Sequence, residues 1–412
     1  MKVSQILPIF LTGVIACPGL QRRDAPSNIS AVPPIATRIK PAVPTTRIAI
    51  TNVRVFDGYQ IREPSTVFVD GVTISKHLDV VDSVVEGNGG ILLPGLIDGH
   101  CHPATVDHLA QLSSYGVTTA FLMNCINYES CSSLRDQTGL TSLFMAGMSA
   151  QGPGSAHARN GHTPASQLIS SPQQAPQYVA NVFGNGSDFL KIVSELNGPD
   201  QDTQNALVLY AHNIGKKVMT HASDIVHYVM AVKSKANGPQ HLPVDAVLDN
   251  ATLAEIRANG QFATPTLAVF WRVFHTPGAA ATLGENSTSY EKNWPILKQN
   301  VRALKNAGIP VVAGTDATPP YAGLQIPFGT TLHDEMYYLV EAGFKPVDAL
   351  RAATLMPVLS HGIADRGRIE PGLRADLVLL QPDAEPLKSI NDTRKIARVW
   401  NGGLEFLNVT TS

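Results

Sequence analysis

The sequence predicts an α/β protein, a (β/α)8 barrel carrying a small β domain built from both ends of the chain. Three observations predict it. Apolar strand-like runs alternate with helical stretches through the middle of the chain. Short alternating strands bracket that region on both sides, and polar residues gather at the carboxyl ends of the apolar runs. The length, 412 residues, exceeds a typical single domain but suits one large barrel with an attached smaller unit.

The chain opens on MKVSQILPIFLTGVIACPG, in which Lys2 precedes an apolar run from Ile6 to Ile15 and small residues at Ala16 and Cys17. This is the pattern of a secretory signal peptide. Arg22-Arg23 offers a dibasic processing site, so residues 1–23 read as a signal peptide and pro-segment. Residues 24–46 are proline-rich and aperiodic and read as an extended arm. TRIAITNVRVFDG and STVFVDGVTIS then alternate apolar and polar residues as antiparallel strands do. The pattern returns in GRIEPGLRADLVLLQP and IARVWNGGLEF, which assigns residues 47–93 and 366–409 to one composite β domain. Between them, residues 94–365 hold GVTTAFLM, SLFMAGM, DFLKIV, KKVMTHA, QFATPTLA and PVVAGTDA, alternating with helical sequence as parallel βα units do.

Composition narrows the function. Hydrophobic residues make up 44% and charged ones 16%, with 31 basic against 33 acidic side chains for a net charge of -2. That balance gives no electrostatic case for nucleic-acid binding. No internal apolar stretch approaches the ~20 residues that cross a bilayer. Sequons begin at Asn28, Asn185, Asn250, Asn286, Asn391 and Asn408, compatible with a glycosylated secreted protein. Of the four cysteines, Cys125 and Cys131 are close enough to close a small loop in an oxidising compartment. Cys101 should point away from its neighbouring histidines and pack as a small apolar residue. The expected partner is a small-molecule substrate, and a homo-oligomer is compatible with the sequence.

The chemistry concentrates at strand ends. In LLPGLIDGHCHP, His100 and His102 lie two apart on a strand, so both imidazoles can converge on one point. Lys191 sits inside the apolar strand SDFLKIVSE, where an amine must be neutralised, paired or modified. His221 ends KKVMTHAS, His241 lies in GPQHLPVD, and Asp316 ends IPVVAGTDA. One strand-end histidine is more often structural than a ligand. Four histidines, a lysine and an aspartate arriving in order at strand ends favour a metal centre.

These residues resemble the amidohydrolase superfamily of metal-dependent hydrolases over nearly the whole chain after residue 46. The motifs are LLPGLIDGHCHP, GSDFLKIV, VMTHAS, PVVAGTDA and the tail ALRAATLMPVLSHGIADRGRIEPGLRADLVLL. The chain is most similar to the branch that includes secreted ochratoxin-type amidases, prolidase-like peptidases and imidazolonepropionase-like proteins. The resemblance implies a barrel with a composite β-sandwich and two divalent metal ions, usually zinc. It implies that His100, His102 and Asp316 hold the more buried ion and that His221 and His241 hold the other. Lys191, carboxylated to N6-carboxylysine, would bridge them, and Asp316 would be the catalytic acid–base. No His-x-x-Glu pair of the deaminase type accompanies His221 or His241. The implied reaction is hydrolysis of an amide bond, non-peptide or dipeptide-like, in a small substrate. A lactone or cyclic-amide hydrolase would use the same site, and a non-catalytic ligand-binding barrel is the reading from another class. In AQGPGSAHARNGHTP, His162 is the expected substrate contact, ahead of His157. His227, Tyr228 and His275 are candidates for the pocket lining, while His333 and His361 read as structural.

Overall fold

The computed structural model describes residues 44–279, 289–321 and 323–407. The signal-like start, Cys17, Arg22-Arg23, the arm up to residue 43, Asn28, Asn286 and Asn408 lie outside the described residues.

Strands from both chain ends share one sheet. β1 (Arg47–Phe56), β2 (Ile61–Asp70), β3 (Thr73–Ser75), β4 (Ser83–Glu86) and β5 (Ile91–Pro94) come from the front of the chain. β14 (Leu377–Leu380), β15 (Ile396–Asn401) and β16 (Leu404–Phe406) come from its end. The sheet has eight strands in the order β16-β15-β14-β5-β1-β2-β3, with β4 also on β1. The ends meet in the antiparallel β5–β14 pair, where Leu93 lies opposite Val378. β1 changes partner along its length: Ile48 to Thr51 pair with β4, and Arg54 and Val55 with β5. Among the described residues this makes a single branched sheet; the expected pairing of chain ends is observed, whereas two separate packed sheets are not. Alternating residues such as Ile50 and Val69 bury one face with Leu92, Leu377 and Trp400.

The barrel follows. β6 (Leu96–Cys101), β7 (Val117–Leu122) and β8 (Ser142–Met145) pair in parallel, as do β9 (Leu190–Val193), β10 (Val218–His221) and β11 (Gly238–Gln240). Parallel bridges Ala150↔Ile192, Gln240↔Thr264, Ala263↔Val311 and Cys101↔Ala317 carry the pairing through two further segments and close the ring.

Strand parity decides what points inward. Leu190 and Ile192 pack outward with residues of the helices Ala175–Gly184 and Gln201–Asn213. Phe189 and Lys191 therefore share the inner face of β9, and Met219 and His221 that of β10. Phe121, Phe189, Met219, Phe262 and Val312 form one apolar layer inside the ring. The helix Leu355–His361 plugs that layer, with the His361 ring 3.9 Å from that of Phe121. Beyond it, the next inward positions are polar. β6 breaks parity through a register shift between Asp98 and Cys101. Ile97 and His100, three apart, consequently both face inward, while Cys101 is a free, buried thiol in the outer core, as expected.

Cys125 and Cys131 are disulfide-bonded, closing the small loop their spacing suggested. Asn250 and Asn391 are exposed. Asn185 is 2% exposed, and its amide donates to the Asn181 carbonyl.

His333 is structural, as read from the sequence. Its Nε2 donates to the Tyr115 carbonyl at 3.0 Å, and Nδ1 lies 2.8 Å from Thr393 Oγ1. Burial holds its pKa down from 6.5 to about 4. The unfolded chain takes up a proton below pH 6.5 that the folded chain refuses until about pH 4, so this contribution is intact above 6.5 and is lost as pH falls through that window. Between pH 7 and 4, wild type should lose about 3 kcal/mol more stability than His333→Gln. Urea melts of both proteins across that range check it, and parallel pH slopes would contradict the assignment.

Candidate active site

All six residues expected from strand ends meet at the carboxyl-terminal mouth of the barrel. Asp316 Oδ1 lies 3.2 Å from His100 Nε2 and 2.9 Å from His102 Nε2. The His100 ring is 4.8 Å from His241, and His241 is 4.5 Å from His221, ring centre to centre. The donor atoms of His100, His241 and Asp316 all lie within 4.8 Å of one another. Lys191, 4% exposed, projects beside this group, and its Nζ has no hydrogen-bond partner.

Surrounding residues fix the rings. Gln240 donates through Nε2 to the Gly238 carbonyl, which turns its Oε1 to His100 Nδ1 at 2.8 Å. The His100 Nδ1 therefore carries the proton, and Nε2 presents its lone pair. His241 Nδ1 is held by Thr266 Oγ1 at 2.7 Å. Asp98, fully buried, accepts from Thr315 Oγ1 at 2.6 Å and from the His100 backbone N–H, tying β6 to the segment that ends in Asp316. His241, Thr266 and Asp316 all adopt left-handed backbone conformations, with φ of 69°, 49° and 57°. Three such non-glycine residues at one mouth are costly and fit a site whose geometry outranks local ease.

Electrostatics agree with the geometry. Burial, reinforced by the Lys191 charge, holds the His100 imidazole down to about 4, and burial holds His221 and His241 well below the usual histidine range. All three are therefore neutral at pH 7. Burial pulls the Lys191 ammonium down to about 7. Burial would push Asp316 up, but its carboxyl is held well below the usual carboxylate range by the imidazoles beside it, of which His102 can donate through Nε2 at 2.9 Å.

A cavity of about 580 Å³ opens over the cluster, lined in part by His102, His157 and Asp316. One wall is the hairpin of β12 (Thr318–Tyr321) and β13 (Leu324–Ile326), and another is the disulfide loop around Cys131. His162 is exposed at φ 49°, while its neighbours Gly161 and Thr163 line the cavity. His157 sits deeper, its ring 4.4 Å from that of His221. His227 pairs with Asp224 at 2.5 Å, Tyr228 is fully buried, and His275 is exposed and stacked on Trp271; none of the three is among the cavity-lining residues described.

Glu195 is the site residue that sequence reasoning missed. It accepts from the His157 backbone N–H at 2.9 Å and lies 2.9 Å from His157 Nδ1. The donor atoms of His157, Glu195 and His221 also lie within 4.8 Å of one another. The signal was available, since Glu195 stands four residues after Lys191, just past the end of β9.

The pattern of the Amidohydrolase family matches residues 91–404, more than half of the chain. This chain belongs to the amidohydrolase family. It is 22% identical over 387 residues to an imidazolonepropionase of Streptomyces griseus subsp. griseus, covering 83% of this chain and 92% of that one. The structure of a Xaa-Pro dipeptidase with bound methionine in the active site matches with a TM-score of 0.74 at 20% identity, covering 87% of this chain and 99% of that one. Ochratoxinase of A. niger matches with a TM-score of 0.70 at 16% identity, covering 88% and 95%. These likenesses establish the barrel fold of this amidohydrolase. Its donor set fits the metal ions that such enzymes typically bind, because buried neutral imidazoles and an ionised carboxylate converge, the donor atoms of His100, His241 and Asp316 lying within 4.8 Å of one another.

Proposed function

We propose that this amidohydrolase hydrolyses the carbon–nitrogen bond of a small amide at a centre of two divalent ions, with zinc the first metal to test. His100, His102 and Asp316 would hold one ion, His221 and His241 the other, and a carboxylated Lys191 both. The observation that carries this reading is the Lys191 Nζ, buried without a hydrogen-bond partner beside the His100, His221 and His241 imidazoles and the Asp316 carboxylate. An isolated ammonium there is strongly disfavoured. A neutral amine can add carbon dioxide, lose a proton and become the anionic ligand that two dications need.

Bound ions would polarise the scissile carbonyl and bring the pKa of the attacking water toward ~7. The protein's own part falls to Asp316, whose Oδ1 faces both His100 and His102 at the cavity. It accepts the proton of the attacking water and delivers it to the leaving nitrogen as the C–N bond breaks, releasing an acid and an amine. The apolar cavity walls offer a surface for the non-reacting part of the substrate.

Zinc-loaded protein should carry about two ions per chain and turn over members of a panel of small amides. Stripping with a chelator should abolish turnover and added zinc restore it. Undiminished hydrolysis by fully stripped protein would sink the reading.

A further inference from the structure

We infer that this site selects substrates that are uncharged away from the bond being cleaved, that is, neutral aryl or alkyl amides in preference to free dipeptides or N-acyl amino acids. The inference rests on the hydrolytic reading above and narrows its substrate class.

Among the described residues, no lysine or arginine lines the cavity. Apart from the half-exposed Tyr321, its titratable lining residues are His102, His157 and Asp316, which belong to the cluster around the proposed ions or adjoin it. Leu122, Ile126, Leu134, Val269, Leu324 and Ile326 supply apolar wall. The polar side chains between them are uncharged amides and hydroxyls, several of them bonded to the protein. Gln151 donates to Ser149 Oγ and accepts from Thr163 Oγ1. Asn124 Oδ1 accepts from both the backbone and the hydroxyl of Ser149, and Asn127 Oδ1 caps the Ser130 N–H.

Guanidinium groups neighbouring the walls in sequence are also engaged. Arg135, next to Leu134, pairs with Asp188 at 2.8 Å. Arg272 pairs with Asp334 at 2.8 Å, and Arg159 donates to the Gly154 carbonyl. Residues 280–288, AATLGENST, contribute no lysine or arginine to the sequence.

A distal carboxylate entering such a cavity surrenders its hydration and meets no cation, whereas an aryl or alkyl group of the same size gains by leaving water. The charge that hydrolysis creates arises elsewhere. Water adds OH to the acyl carbon and H to nitrogen, so the new carboxylate forms at the ion-binding end and the amine leaves neutral or protonated.

Benzanilide and four derivatives test this on zinc-loaded enzyme. A para-carboxylate or a para-acetyl group is placed on either the acyl or the amine ring, the acetyl matching the carboxylate in size without its charge. The acetyl compounds should be cleaved within ~10-fold of benzanilide, and both carboxylates on the order of 100-fold or more less efficiently in kcat/KM. Ile126 lines the cavity and is 53% exposed, so Ile126→Arg adds a cation at the rim without disturbing the core. That variant should raise the carboxylate-to-acetyl ratio of kcat/KM at least ~10-fold. Equal cleavage of carboxylate and acetyl compounds would overturn the selectivity while leaving the hydrolase standing. Cleavage of none of the five would overturn the hydrolytic reading and this inference together.

Discussion

Lys191→Ala should lose most of its bound metal and reduce kcat/KM by ~10³-fold or more, and acetate should restore part of both. Without a carbamate, two dications would face four neutral imidazoles and the single carboxylate of Asp316. That is too little negative charge to hold both ions close together. The side chain removed is 4% exposed, so its loss leaves an enclosed space beside the cluster rather than a solvated groove. A short carboxylate fits such a space and presents two oxygens where the carbamate would present its own. Lys191→Met is the decisive companion, because it fills the space with apolar atoms. It should be as inactive as Lys191→Ala and indifferent to acetate. A lysine that served only packing would behave differently: methionine would replace it well and metal content would not change. Two ions per chain with wild-type turnover in Lys191→Ala would end the carbamate assignment.

The sequence disclosed the site more completely than the fold around it, for a physical reason. Ligands and acid–base groups sit at strand ends, where a polar residue interrupts an apolar run, and that contrast survives without coordinates. His100, His102, Lys191, His221 and Asp316 were all visible this way, and the structure brings them together with His241. Pairing is less legible. β11 is only Gly238–Gln240, three residues with no β-branched member, so nothing in its composition announces a strand. The register shift in β6 that puts Ile97 and His100 on the same inner face has no local residue pattern to mark it, although the His-Cys-His alternation itself was readable. The branching of β1 between β4 and β5 arises from long-range pairing, which local composition does not reveal. Glu195 was passed over because a lone glutamate after a strand usually points to solvent; its role appears only when the chain brings His157 to it across 38 residues.

Asp316→Asn should fold normally, keep part of its metal, and lower kcat by ~10²-fold or more with a smaller change in KM. The backbone favours this substitution over alanine. Residue 316 sits at φ 57°, a left-handed conformation that asparagine adopts more readily than most residues. Alanine there would combine backbone strain with the loss of a ligand, and its effect could not be apportioned. Asparagine keeps an oxygen of similar shape to face His100 and His102, which lie 3.2 and 2.9 Å from the native Oδ1. What it removes is the negative charge and the capacity to accept a proton. Loss of charge weakens the hold on the ion, so metal must be measured and activity expressed per loaded site. Loss of the proton acceptor strikes the chemical step itself, because the attacking water has nowhere to send its proton and the leaving nitrogen no donor. A leaving group that needs no protonation should expose the distinction. On an activated aryl ester the deficit of Asp316→Asn should shrink relative to that on an anilide, since only the amide requires the returned proton. A metal-loaded Asp316→Asn that cleaves anilides at the wild-type kcat would remove Asp316 from the proton path.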